Sequence, residues 1–125
     1  MAGNTFVLKL GDGSDLFEGL EKLVKENRIE YGMLVSGWGK LKEFELITHE
    51  TKGGVNKASF DSAFELNAIS GKVLLSRSGK FDASIRVSVS STGFTPKAGQ
   101  LVKGKAASSL EIGIRKIDFG KIIEA

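Results

Sequence analysis

Ser84, Arg86, Ser88, Lys97 and Gln100 are the side chains of this sequence best suited to hold a small anion. A guanidinium offers a planar fork that matches carboxylate or phosphate, an ammonium adds a point charge, and hydroxyls and an amide add neutral donors. Their spacing matters as much as their type. From Phe81 to Ser90 the chain alternates strictly: Phe81, Ala83, Ile85, Val87 and Val89 are apolar, and the residues between them are polar. Period two assigns the apolar set to a core and the polar set to the opposite face of a strand. Ser84 and Arg86 then project side by side, roughly 7 Å apart. The chain continues through a loop holding its only proline, Pro96, and leaves through Ala98-Gly99 to Gln100. The plainer reading is a half-buried strand showing its wet face, with Arg86 paired to a carboxylate.

Other reactive types have simpler explanations. "LGDGSDL" places Gly11-x-Gly13 between a strand and a helix, as a dinucleotide phosphate loop would, but Leu16 holds the third glycine position. Asp12 and Asp15 would also repel phosphate from the helix start, so a turn followed by an N-cap at Ser14 or Asp15 accounts for the segment. His49 is the only histidine, and no partner can be placed beside it, so a surface or packing role is expected. Glu65 and Glu111 sit within apolar strands on what alternation makes the wet face, where pairing with Lys or Arg is expected rather than acid-base work. Trp38, between two glycines, reads equally as an interface anchor or a core residue.

The elements that must position these residues form one domain, residues 1–125, long enough to bury a core without staples. "TFVLKL" is a strand, and Leu16, Phe17, Leu20, Leu23 and Val24 make one stripe on a helix ending at Asn27-Arg28. Strands are expected at 31–39, 44–50, 64–70, 73–78, 81–90 and 109–117, with a last short one in "KIIE". A loop at "TKGGVNK" and turns at Gly71-Lys72 and Gly79-Lys80 separate them. One main helix packed on a mostly antiparallel sheet of about seven strands is an α+β fold. Cysteine is absent, so disulfides and thiolate metal sites are excluded. The start "MAGNTFVLKL" lacks the pattern of a secretory signal, no apolar run suits a membrane, and a cytoplasmic location is expected. With 18 basic and 15 acidic residues the net charge is +3, spread along the chain without a run of four cations. That balance permits a polyanion partner without arguing for one.

The chain resembles the plant-and-prokaryote-conserved (PPC) domain. The likeness rests on "FVLKLGDGSDLFEGLEKLVKENRI", "VSGWGKLKEFEL", "FELNAISGKV" and "RVSVS" followed, after seven loop residues, by "AGQL" and "KG". It implies a seven-stranded sheet with helices packed on it and assembly as a homotrimer. Many prokaryotic members carry a metal site near a subunit boundary, a His-x-His on the strand and a His after the loop. Those positions are Ser84, Arg86 and Gln100 here. Serine and glutamine are poor zinc ligands and a guanidinium cannot ligate, so no metal and no other cofactor is expected. Plant members reach DNA through Arg-Gly-Arg hooks, which this sequence lacks.

The resemblance and the residues together predict a non-catalytic, homotrimeric binding or regulatory protein with weak, salt-sensitive DNA association. The alternative is a small-anion binder, or an enzyme of unknown reaction, using an inter-subunit pocket around Arg86. A ring of basic residues on one face of a trimer would favour the first. A pocket in which Arg86 has no carboxylate partner would favour the second.

Overall fold

The computed structural model describes residues 4–125. Strand β1 (Thr5–Gly11) leads to helix α1 (Leu16–Glu26), and strands β2 (Tyr31–His49), β3 (Val55–Phe60), β4 (Phe64–Leu75), β5 (Phe81–Ser90) and β6 (Lys97–Lys116) follow. A single 3-10 turn, Phe119–Lys121, follows β6. Every ladder is antiparallel. The order is β1-β6-β5-β4-β2-β3, and an additional β6–β2 ladder makes β6, β5, β4 and β2 a closed cycle of pairings.

The fold is α+β as the sequence predicts, but the sheet has six strands rather than seven. Residues 31–39 and 44–49 belong to one strand of 19 residues, β2, and Glu50 lies just beyond its end. Its register against β6 shifts between Leu34 and Ser36, Gly39 and Lys40, Lys42 and Glu45, and Glu45 and Leu46. Bulges bend a strand and interrupt its alternation, so one element reads as two. Residues 64–70 and 73–75 are likewise continuous in β4, with no turn at Gly71-Lys72, and residues 76–78 of the expected second strand lie in the turn that follows. Gly71 lies mid-strand at φ +147°, and a Cβ there would collide with the Ser84 carbonyl of β5. Its glycine serves a close backbone approach, which punctuates a sequence just as a turn does. The loop expected from Thr51 gives way at Val55 to edge strand β3. β6 begins at Lys97, well before residue 109, and "KIIE" forms no strand.

Leu16, Leu20 and Val24 of α1 are fully buried, with Phe17 and Leu23 packed at the margin. They meet the inward residues of the sheet, among them Val73, Ile85, Leu110, Ile112 and Ile114. Each such aliphatic side chain contributes about 1.5–3 kcal/mol by leaving water. Asp15 is the N-cap, its carboxylate accepting from Glu18 N at 3.0 Å. Asn27 closes the helix, its side-chain amide donating to the Leu23 carbonyl at 2.9 Å.

The turn before α1 is stitched to β6. Gly13 N donates to the Ala106 carbonyl at 2.8 Å, and Ala106 N donates to that of Ser14 at 2.9 Å. Asp12 accepts from Ser108 N at 2.7 Å and from Lys42 Nζ at 3.0 Å. Ser108 has φ +64°, so this carboxylate anchors a left-handed residue that disfavours itself. With these groups engaged internally, "GDGS" is a structural turn. The Ser108 N–H, and then Lys42, hold the Asp12 carboxyl below its ordinary value of 3.8. A depressed folded value means that its stabilisation is full above about pH 4 and is lost as pH falls through the folded value. Asp12→Asn should therefore lower the urea midpoint near neutral pH and make stability fall less steeply below about pH 4. An acid limb of unchanged steepness would show that Asp12 is not clamped in this way.

Candidate functional site

Four strands build one row across the uncovered face of the sheet. Arg86 of β5 stands opposite Gln100 of β6 on one side and Ser70 of β4 on the other. Gln100 in turn stands opposite Ile47 of β2. The row crosses a groove of about 580 Å³ whose polar lining includes Arg86, Ser88, Gln100, Ser70 and His49. Gly99 explains the small-residue exit from the loop: a Cβ there would lie 2.8 Å from the Ile47 carbonyl. β2 and β6 could not pass so closely with a larger residue at that point.

Three of the five expected side chains, Arg86, Ser88 and Gln100, thus share the groove. Ser84 lies two residues beyond Arg86 on the same face, opposite Lys72, and does not line it. Lys97 pairs with Val89, whose side chain is buried, so it takes the opposite parity from Arg86. It lines a separate hollow of about 310 Å³ with Leu46, Phe60 and Pro96. Two groove residues, His49 and Ser70, are not expected from sequence. His49 reaches the groove because it follows Ile47 by two residues on β2, and only the β2–β6 register reveals what faces Ile47.

The groove's charge is simple. None of its lining residues is acidic, and Arg86 is its one permanent charge. The four ion pairs found within 4.0 Å among the described residues all use lysines, and none involves Arg86. Glu45 shows the contrast. It is 8% exposed and accepts from Lys57 Nζ at 3.1 Å and Ser59 Oγ at 3.2 Å, bonds that fasten β3 to β2. Lys57 foremost draws the Glu45 carboxyl below its ordinary range. Arg86 has no such neighbour among the described residues.

Elsewhere on the sheet, Glu65 and Glu111 stand opposite Lys40 and Lys9 across their ladders. Trp38 is 78% exposed, which removes the core reading. With Met33, Val35 and Val7 it gives this end an exposed apolar surface.

Of the positions that the family resemblance matches to metal ligands, two come directly together. Arg86 and Gln100 are direct cross-strand partners, with Ser84 beside Arg86 on the same face. The donors do not suit zinc: a guanidinium repels a cation, and hydroxyl and amide oxygens bind it weakly.

Residues 1–118 match the family model for the Plants and Prokaryotes Conserved (PCC) domain. The fold is shared with a plant- and prokaryote-conserved protein of Pyrococcus horikoshii, 23% identical over 91% of this chain and 78% of that one, at TM-score 0.79. A metal-containing protein of Archaeoglobus fulgidus is 21% identical over 93% and 81% of the two chains, at TM-score 0.78. A Bacteroides thetaiotaomicron protein, provisionally described as DNA-binding, is 18% identical over 94% and 82%, at TM-score 0.81. No curated protein matches the chain.

Elemental analysis after gel filtration should find no stoichiometric zinc in the wild type. The variant combining Ser84→His, Arg86→His and Gln100→His should retain it, because three imidazoles then meet on one face. One metal per wild-type chain would refute the ligand chemistry. A folded triple variant without metal would refute the convergence.

Proposed function

The chain belongs to the Plants and Prokaryotes Conserved domain family, and from that premise we propose that it is a non-catalytic binding module taking a small anion in the groove at Arg86. One observation carries this reading: a guanidinium lies in a concave site of about 580 Å³ with no carboxylate partner among the described residues. Pockets of this size suit small ligands. Ser88, Gln100 and Ser70 supply neutral donors around the bound group, with the His49 imidazole beside them. A single imidazole without an acidic partner makes a poor acid-base set, which supports binding over catalysis.

Homotrimeric assembly, implied by the family, is part of the proposal. Its support is the exposed surface of Trp38, Met33, Val35 and Val7, since tryptophan and methionine are enriched in protein contacts. Light scattering at micromolar concentration should give about three times 13.4 kDa. A clean monomer would restrict the groove to the residues of one chain.

Weak DNA association is the second reading. It draws on the net charge of +3, multiplied in a trimer, and on the DNA-binding description carried by the Bacteroides thetaiotaomicron neighbour. Binding of that kind falls steeply with salt and shows little sequence preference. The two readings separate in one comparison. Arg86→Ala should abolish stabilisation by a small anion at constant ionic strength, which at a hundredfold excess over Kd is about 2.7 kcal/mol. The same change should leave low-salt DNA retention nearly intact, since one cation among 18 is removed from a dispersed charge. Equal anion stabilisation of wild type and variant would overturn the groove as the binding site.

A further inference from the structure

We propose that the groove at Arg86 takes an organic monocarboxylate with an apolar body, an inference that rests on the anion-binding reading and adds the ligand's class. The lining divides into two chemistries. Ile47, Ala68 and Ala98, on the face of Arg86, make aliphatic walls, while Arg86 brings the only permanent charge. One guanidinium neutralises one carboxylate, and its two parallel N–H donors match the two carboxylate oxygens. Ser88 adjoins Arg86 on the same strand face, and Gln100 faces it from β6, so neutral donors remain for the outer lone pairs.

Phosphate fits the same residues less well. At about −1.5 to −2 near neutral pH it exceeds the charge of a single guanidinium. The excess would stand against aliphatic walls with no second fixed cation, an arrangement that disfavours burial. Lys97, the next cation along the chain, lies on the other parity and lines a different hollow. The aliphatic walls also need something to cover. A bare acetate or sulfate would leave Ile47 and the two alanines facing water, whereas a ring or short alkyl chain would bury them.

Arg86 is exposed, so its replacement leaves the core untouched. Isothermal titration of the wild type at constant ionic strength would compare hexanoate and benzoate with acetate, benzamide and inorganic phosphate. Hexanoate should bind about tenfold or more tightly than acetate, from the extra methylenes covered. Benzoate should exceed both benzamide, which lacks the charge, and phosphate, which lacks the body. Arg86→Ala should abolish benzoate binding, and Arg86→Lys should weaken it severalfold by losing the fork. Ile47→Ser should weaken hexanoate while leaving acetate unchanged.

Phosphate binding that matches or exceeds benzoate and depends on Arg86 would overturn the monocarboxylate class while leaving the anion groove standing. Equal affinity for acetate and hexanoate would do the same. No Arg86-dependent binding of any probe would overturn both.

Discussion

The ladder between β2 and β6 runs from Gly32 opposite Lys116 to Ile47 opposite Gln100, and the other elements are arranged around it. Each strand is too long to stay flat, because strands twist and long pairings accumulate that twist. Bulges absorb it, and each one lets the strand change partners. On its other edge β2 serves β4 first and β3 afterwards, while β6 serves β5 first and β1 afterwards. The closed cycle of pairings, the buried interior and the uncovered outer row all follow from this one long contact. So does the Asp12 clamp, which holds β6 at the left-handed Ser108 between two stretches of the ladder.

The groove is a consequence of the same ladder. Gly99 lets β2 and β6 approach closely, which sets Ile47 beside Gln100 and carries His49 toward the β5 face. Arg86 then occupies the centre of a four-strand row without an acid nearby. Elsewhere on the surface, the Lys25–Glu21 and Lys105–Glu43 pairs are exposed contacts that contribute little to stability, as such pairs usually do. An arginine left unpaired on a concave surface differs in kind, because its donors are arranged but unused. The metal-containing neighbour from Archaeoglobus fulgidus shares the fold at 21% identity. Arg86 and Gln100 face each other directly across β5 and β6. Side-chain type at fixed positions, rather than backbone shape, decides what this frame can take.

Much of the architecture was legible in local patterns. The stripe of α1, its cap at Asp15 or Ser14, the alternation of β5 and the absence of a phosphate loop all depend on neighbours within a turn or a strand. Period and capping report those relations directly. The two places where one strand reads as two share one cause. Gly71 and the irregular middle of β2 look like chain reversals, yet both mark places where another strand approaches or the register slips. A glycine required by a distant carbonyl and a glycine required by a turn look the same in sequence. The number of strands was misread for that reason.

The sequence by itself determined the α+β class, the family, the common face of Ser84, Arg86 and Ser88, and the poverty of metal donors, since these follow from residue type and short-range periodicity. The tertiary structure decided which of those residues share a cavity. It brought Gln100, Ser70 and His49 to Arg86, turned Lys97 to the opposite side, exposed Trp38, and left Arg86 without an acidic partner among the described residues. Each of these depends on register between strands far apart in the chain, where a slip of one residue turns every side chain to the other face.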